Sequence, residues 1–252
     1  MKLRLDKLLV GHGIAATRTR AQQRISAGHI TVDGAIVTKA GFLVDGSQQA
    51  IQALEQDLPY VSRGGVKLAS ALDAWNIDVC GRTCLDIGIS TGGFSDCLLQ
   101  RGAASVVGID SGHGQLAEKL RSDPRLLLLE RTNARYLTAS MLPPGIGFFT
   151  VDVSFIAASL ILPAAIAAAF SADANVPDGR SREAVILVKP QFEAGKEFVG
   201  KGGIVHSSAA HRRAVDRVIG TLAAHGAVET RAMDSPIPGG DGNREFLIYA
   251  RF

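Results

Sequence analysis

Residues 83–94 read Thr-Cys-Leu-Asp-Ile-Gly-Ile-Ser-Thr-Gly-Gly-Phe: an apolar run closes on an acidic residue and passes through a turn of small residues into a helix beginning near Phe94. Strand, glycine turn and helix in this order open a parallel α/β sheet. The same alternation continues outward. Apolar strands are expected at Ser105–Asp110, Leu126–Glu130, Phe148–Val153 and Ala184–Val188, with two more near Val228 and Phe246. From Pro59 onward the chain therefore reads as one α/β unit with helices on both faces of its sheet. The apolar stretch Phe155–Phe170, broken by Ser159 and Pro163, is too short to cross a bilayer and is expected to be a buried helix. Asp173–Arg182, with Asn175, Pro177 and Gly179, is expected to be an exposed loop.

The turn after Thr83–Ile87 also carries chemistry, because glycines let a ligand approach the backbone. A dinucleotide fingerprint asks for Gly-x-Gly-x-x-Gly, but Ser90 holds the second glycine position and Asp86 leads the motif, an arrangement of S-adenosylmethionine sites rather than NAD sites. Asp86, Gly88, Ser90, Gly92, Gly93 and Phe94 are the expected cofactor-binding residues here. Asp110, ending the second strand, is placed to accept hydrogen bonds from a ribose diol; a helix N-cap is its other reading. Asn133, with Thr132 beside it, is read either as an adenine-edge contact or as a turn-forming residue.

With 252 residues, 46% of them hydrophobic and 20% charged, the chain has material for a folded core and for two units. The formal charge is +3, but residues 1–40 carry seven basic side chains against Asp6 and Asp33, a net of +5. A basic front end suits nucleic acid or an anionic membrane surface, a solvated helix face being the plain alternative. Cys80, Cys84 and Cys97 form no disulfide framework and no zinc spacing, so they are expected to be core thiols, with no metal. Asp6 and Lys7 interrupt the apolar run Leu5–Val10 where a secretory signal would be continuous, which points to the cytoplasm and away from stable membrane association.

In that front end, Leu5, Leu8 and Leu9 share a helix face flanked by Arg4 and Lys7, and Gly11 and Gly13 end the helix. Thr17 is a plausible N-cap for a second helix that buries Ala21 and Ile25 and stops at Gly28. Ile30–Val32 and Ala35–Val37 flank Asp33-Gly34, a dipeptide suited to a two-residue hairpin. The series Arg4-Leu5-Asp6-Lys7-Leu8-Leu9, Gly13, Thr17-Arg18, Ala21, Ile25, Gly28, Ile30, Val32-Asp33-Gly34 and Val37-Thr38-Lys39 resembles the S4 RNA-binding module. Thr17 stands where serine is usual and Asp33 where asparagine is usual, and both keep the cap and turn chemistry. The resemblance implies a small α+β domain over residues 1–58. Arg4, Lys7, Arg18, Arg20, Arg24 and Lys39, together with Arg63 beyond it, are the expected RNA-binding cations.

Four polar residues mark element boundaries in the remainder, residues 59–252: Lys67 after Ser62-Arg63-Gly64-Gly65, Asp152 in Val-Asp-Val-Ser-Phe, Lys189 in Leu-Val-Lys-Pro, and Glu245 in Asn-Arg-Glu-Phe. Each alone is weak; Lys189 is the strongest, since it ends an apolar strand at the carboxyl edge where α/β folds bind ligands. Together they resemble the Lys-Asp-Lys-Glu tetrad of FtsJ-like ribose 2'-O-methyltransferases. With the S4 module and the Ser-Arg-Gly-Gly and Lys-Pro-Gln-Phe-Glu segments, the whole chain resembles the TlyA family, also called hemolysin A. That resemblance implies a Rossmann-like S-adenosylmethionine-dependent methyltransferase sheet behind an S4 domain, methylating cytidine riboses of ribosomal RNA or ribosomal subunits.

In line transfer to a 2'-hydroxyl requires alignment and removal of a proton. Lysine acts as a base only when neutral, a state that burial and a second cation favour and that carboxylates oppose. On this basis Lys189 is assigned as base or proton steerer and Asp152 as its orienting partner. Lys67 and Glu245 are assigned to hold the hydroxyl; a purely structural ion network is the competing reading. The segment Gln191–His206, with Gly195, Lys196, Gly200, Lys201 and Gly202, reads as a lid over the substrate or as a plain surface loop before a helix capped by Ser207. The target nucleotide is expected to flip toward Lys189. Two rival functions stand beside this one: a non-catalytic RNA-binding assembly factor, and a membrane-active hemolysin, for which no spanning helix or basic amphipathic anchor is present.

Overall fold

The computed structural model describes residues 2–15, 17–26, 28–46, 49–53, 59–170, 179–239 and 242–252. It divides into two compact units, Met1–Asp57 and Leu58–Phe252. The domain boundary expected after residue 58 and most of the loop expected at 173–182 lie outside the described residues.

The first unit begins with β1 (Lys2–Arg4), α1 (Leu5–Gly11) and α2 (Arg18–Ser26), followed by β2 (Ile30–Val32), β3 (Ala35–Ile36), β4 (Leu43–Asp45) and β5 (Ile51–Ala53). Its core gathers Leu5, Leu9, Ala21, Ile25, Ile30 and Val44. Thr17 Oγ1 accepts the Arg20 N–H at 3.2 Å as the cap of α2. Asp33 and Gly34 take φ of 52° and 80°, which closes the β2–β3 hairpin. Arg4 corrects the sequence reading in one respect: it ends β1, which pairs antiparallel with β4, rather than flanking a longer helix. Strands of three residues carry too little periodicity to be read in advance.

The second unit contains α3 (Arg63–Trp75), β6 (Thr83–Ile87), α4 (Gly93–Gln100), β7 (Ser105–Ile109), α5 (Glu118–Arg121), β8 (Leu126–Leu129) and β9 (Ile146–Val151). Then come α6 (Leu162–Ala169), β10 (Glu183–Val188), α7 (Pro190–Glu193), α8 (Ser208–Ala224), β11 (Glu229–Asp234) and β12 (Phe246–Arg251). Among the described residues, seven strands form one sheet in the order β11-β12-β10-β9-β6-β7-β8. The five strands β6 to β10 are mutually parallel, and β12 runs antiparallel between β10 and β11.

Alternation along the strands builds two cores. Leu85, Ile87, Phe149, Val151, Ile186 and Val188 face α6 and α8, whereas Cys84, Val106, Phe148, Val185 and Leu187 face α3, α4 and α5. The expected helix over 155–170 is shorter than the apolar run: Phe155 is 93% exposed, and the α-helix starts only at Leu162, with Pro163 in its first turn. Cys84 and Cys97 are buried as expected, but Cys80 is exposed. Among the described residues no helix is long and apolar enough to cross a membrane.

Candidate active site

The chain leaves β6 in one direction toward β7 and returns on the other side as β9, so the carboxyl ends of β6 and β9 flank the point where strand order reverses, the place where open α/β sheets bind ligands. A cavity of about 540 Å3 opens there, within the size range of cofactor sites. Gly88 and Ser90 line it from the turn after β6, Asp110 from the end of β7, Thr132 and Asn133 from beyond β8, and Asp152 to Ile156 from beyond β9.

The turn is held by its neighbours. Asp110 accepts the Ser90 N–H at 2.9 Å and the Gly112 N–H at 2.7 Å, so one carboxylate fixes both loops while facing the cavity. Ser90 occupies left-handed backbone at φ 48°, and its hydroxyl donates to Gln115 Oε1 at 3.2 Å. Asn133 Oδ1 accepts the Arg135 N–H at 3.1 Å, so the turn role and the cavity position belong to the same residue. Apolar Ile87, Ile109, Ala134 and Ile161 complete the wall, giving a slot for a flat ring beside a carboxylate suited to a diol. These donors and this shape fit an adenosine-bearing cofactor.

Four expected cofactor residues lie elsewhere. Strand alternation turns Asp86 onto the α4 face, where it is fully buried and accepts Ser95 Oγ–H at 2.6 Å and Thr150 Oγ1–H at 2.9 Å. Burial pushes its carboxyl up to about 6 against these two hydrogen bonds, with the charge of Asp152 adding to the rise. Gly92 packs under Leu116 and Leu120, and Phe94 is buried in the core on the same side. Gly93 serves a helix crossing: a Cβ there would stand 2.2 Å from Ser62 Oγ and 2.9 Å from the Gly65 nitrogen. The Ser62–Gly65 segment and Gly93 thus let α3 approach α4 closely.

That approach positions Lys67. It is buried on α3 and its ammonium donates to Glu245, which is buried immediately before β12. Lys189, at the end of β10, lies 2.7 Å from Asp152 Oδ1 and donates to Ser154 Oγ at 2.9 Å. The β10–β12 register pairs Val188 with Phe246, so the adjoining residues Lys189 and Glu245 stand at one sheet edge. Asp152 is anchored by its own N–H to the Ile87 carbonyl at 2.9 Å. The four tetrad residues therefore form two ion pairs along the carboxyl edge, and Asp152 of one pair lines the cavity. Arg63 lies one helical turn before Lys67 on α3.

The segment after Lys189 is more structured than a plain loop. It forms α7 at once, and its far end is pinned by buried Asn243, whose Oδ1 accepts the Val205 N–H at 3.0 Å and whose Nδ2 donates to Gly203 O at 2.9 Å. Ser207 Oγ accepts the Ala210 N–H at 3.3 Å as the cap of α8. Asn243, Gln115 and Ser154 were not singled out by the sequence, although Asn243 and Ser154 each stand two residues from a tetrad member, Glu245 and Asp152, in the segments quoted for them.

In the first unit Lys7, Arg20 and Lys39 are exposed. Arg4 and Arg18 are not independent cations, because both pair with buried Asp6, at 2.9 and 3.0 Å. The Arg4 guanidinium, helped by Gln22 and Arg18, holds the Asp6 carboxyl well below the usual carboxylate range despite its burial. Arg24 Nη1 donates to the Ile14 carbonyl at 2.5 Å.

Comparison with known proteins identifies the family of each unit. Residues 60–252 match the FtsJ-like methyltransferase family and residues 3–49 the S4 domain. The chain is 42% identical, over 99% of its length and 90% of the relative's, to the Mycobacterium tuberculosis protein named 16S/23S rRNA (cytidine-2'-O)-methyltransferase TlyA. It is 37% identical to Hemolysin A of Brachyspira hyodysenteriae over 98% of this chain and 99% of that one. The solved structure of a hemolysin-named protein from Streptococcus thermophilus superposes with a TM-score of 0.73 at 37% identity, covering 99% of this chain and 88% of the other.

Proposed function

The chain belongs to the TlyA family of FtsJ-like methyltransferases, and from that premise we propose that it is an S-adenosylmethionine-dependent enzyme that methylates the ribose 2'-hydroxyl of cytidine in ribosomal RNA. The observation that carries the reading is the 2.7 Å contact of Lys189 with Asp152, a carboxylate that lines the cavity at the strand switch. S-adenosylmethionine supplies the methyl group as a sulfonium. Asp110 is suited to hold its ribose, Asn133 its adenine edge, and Gly88 and Ser90 its backbone-facing side.

Lys189 receives or steers the proton that leaves the 2'-oxygen, and Asp152 and Ser154 fix the direction of its ammonium group. Lys67, held by Glu245, is the second cation at the same edge and steadies the developing charge on that oxygen. Phe155 keeps its ring almost wholly in solvent from left-handed backbone at φ 67°, an arrangement costly for a bulky residue and suited to stacking on an unstacked base. The S4 unit contributes sequence-independent phosphate contacts through Lys7, Arg20 and Lys39, with Arg63 near the catalytic edge. Ribosomal subunits, in which such riboses are presented on structured RNA, are the proposed partner.

The test is 2'-O-methyl mapping of ribosomal RNA incubated with the pure protein and the cofactor, alongside Lys189→Ala. Wild type should modify cytidine, and the variant should lose at least about 10²-fold in rate with cofactor affinity unchanged. Full turnover by Lys189→Ala removes that residue from the mechanism; no methyl transfer by wild type to any ribosomal RNA leaves only RNA docking.

A further inference from the structure

Across Phe155 and Ile156 the cofactor cavity adjoins a second groove, of about 730 Å3, between the turn after β9, α7 and α8. Of its lining only Phe155 takes part in the proposed transfer. Its floor is apolar, with Ile156, Leu160 and Phe192, and its rim carries Gln191, Lys196 and Arg217. Leu160 is 54% exposed, and the Phe192 ring lies 5.7 Å from that of Phe155 at an interplanar angle of 51°.

The groove has fixed walls. Glu193, buried at the end of α7, accepts the Ser159 N–H at 3.0 Å and the Ser159 hydroxyl at 2.8 Å, and Arg217 Nη1 donates to the Glu193 carbonyl at 2.8 Å. All three elements are thereby tied together four residues past Lys189. Among the described residues, Gln191 Oε1 is buried without a hydrogen-bond partner. A buried acceptor left unpaired is costly, and turning the Gln191 amide into the groove to meet the polar edge of a ligand relieves that cost.

We propose that this groove seats the nucleotide adjoining the methylated one on the same RNA strand. Its base lies against Phe192 and Leu160 with its edge on the Gln191 amide, and its phosphate meets Lys196. The assignment rests on the reading of the chain as an RNA methyltransferase. An aromatic and apolar slot with an amide and a cationic rim is the chemistry that holds single-stranded nucleotides. Continuity supports it too: a strand whose 2'-hydroxyl reaches Lys189 carries a neighbour to either side, and the groove begins where the cavity ends.

The experiment uses the full chain and purified ribosomal subunits lacking the modification. Ultraviolet crosslinking followed by mass spectrometry should give a nucleotide adduct on residues 191–196, the nucleotide being next to the methylated one. Two variants complement it: Thr221→Trp, which plugs the groove from α8, and Lys196→Glu. Each should raise the KM for the RNA about tenfold while kcat and cofactor affinity hold. Unchanged KM in both variants, or adducts joining the groove to a ribosomal protein instead of RNA, overturns the proposal while the methyltransferase reading stands. A wild-type chain that methylates no RNA overturns both.

Discussion

Gly88 and Asp152 abut so closely that a Cβ on the glycine would lie 2.3 Å from the Asp152 carbonyl oxygen. The glycine also sits at φ 88°, where an L side chain is strained. The close approach follows from β6 and β9 being adjacent parallel strands that end together, so the cofactor turn and the proposed catalytic carboxylate share one backbone contact.

Gly88→Ala should therefore fail twice. The backbone conformation alone costs about 1–2 kcal/mol, and relief of the clash moves Asp152 away from Lys189. Calorimetric titration with S-adenosylhomocysteine and a thermal melt should show weakened binding and a lowered melting temperature. Normal binding by a fully folded variant would mean that the turn is not the cofactor's seat.

The buried pair of Lys67 and Glu245 separates a structural ion network from a catalytic one. Glu245→Gln strands a buried ammonium and should destabilise by about 3–5 kcal/mol. Replacing both residues with Met should return most of that stability, because well-packed apolar pairs often match buried ion pairs. Methyl transfer should stay lost in the double variant; recovery of turnover along with stability would reduce the pair to scaffolding.

Asp86 gives a pH signature of known sign. Its folded carboxyl titrates at about 6, above the unfolded value, so its contribution to stability is complete below about pH 4 and is lost as pH rises through 6. Asp86→Asn does not titrate. Relative to wild type the variant should gain, between pH 4 and 7, on the order of 3 kcal/mol at about 1.4 kcal/mol per unit. Urea midpoints measured across that range decide it, and parallel profiles for the two proteins would contradict a buried, ionising Asp86.

Arg20 and Arg24 share a helix but should behave differently. Arg20→Ala should lower the slope of log affinity against log salt for RNA by about 1, the mark of one lost phosphate contact. Arg24 is spent on the Ile14 carbonyl, so Arg24→Ala should instead lower the stability of the first unit by about 1.5–3 kcal/mol with little change in slope. Equal slope changes for both would place Arg24 on the phosphates as well.

Much of this architecture was legible in the order of residues. Asp33-Gly34 announced its hairpin because few dipeptides tolerate two positive φ angles, and the run Ala184–Val188 announced a central strand because both of its faces are buried. Phe155 was misread for the opposite reason: apolar composition does not reveal that a ring is held outward by left-handed backbone.

The sequence alone determined which strands make up the seven-stranded sheet, that the chain ends its central strands in Asp86-Ile87-Gly88, Asp152 and Lys189, and that its front end is basic. Only the tertiary structure decided that Asp86 turns inward to Ser95 and Thr150, that Gly93 serves a helix crossing, that Arg4 and Arg18 share Asp6, and that Glu193 ties α7 to Ser159. Periodicity and turn chemistry act between near neighbours in the chain and can be read along it. Pairing of charges and close approach of backbones join residues on separate elements, as far apart as Asp86 and Thr150, and those are set only when the elements pack.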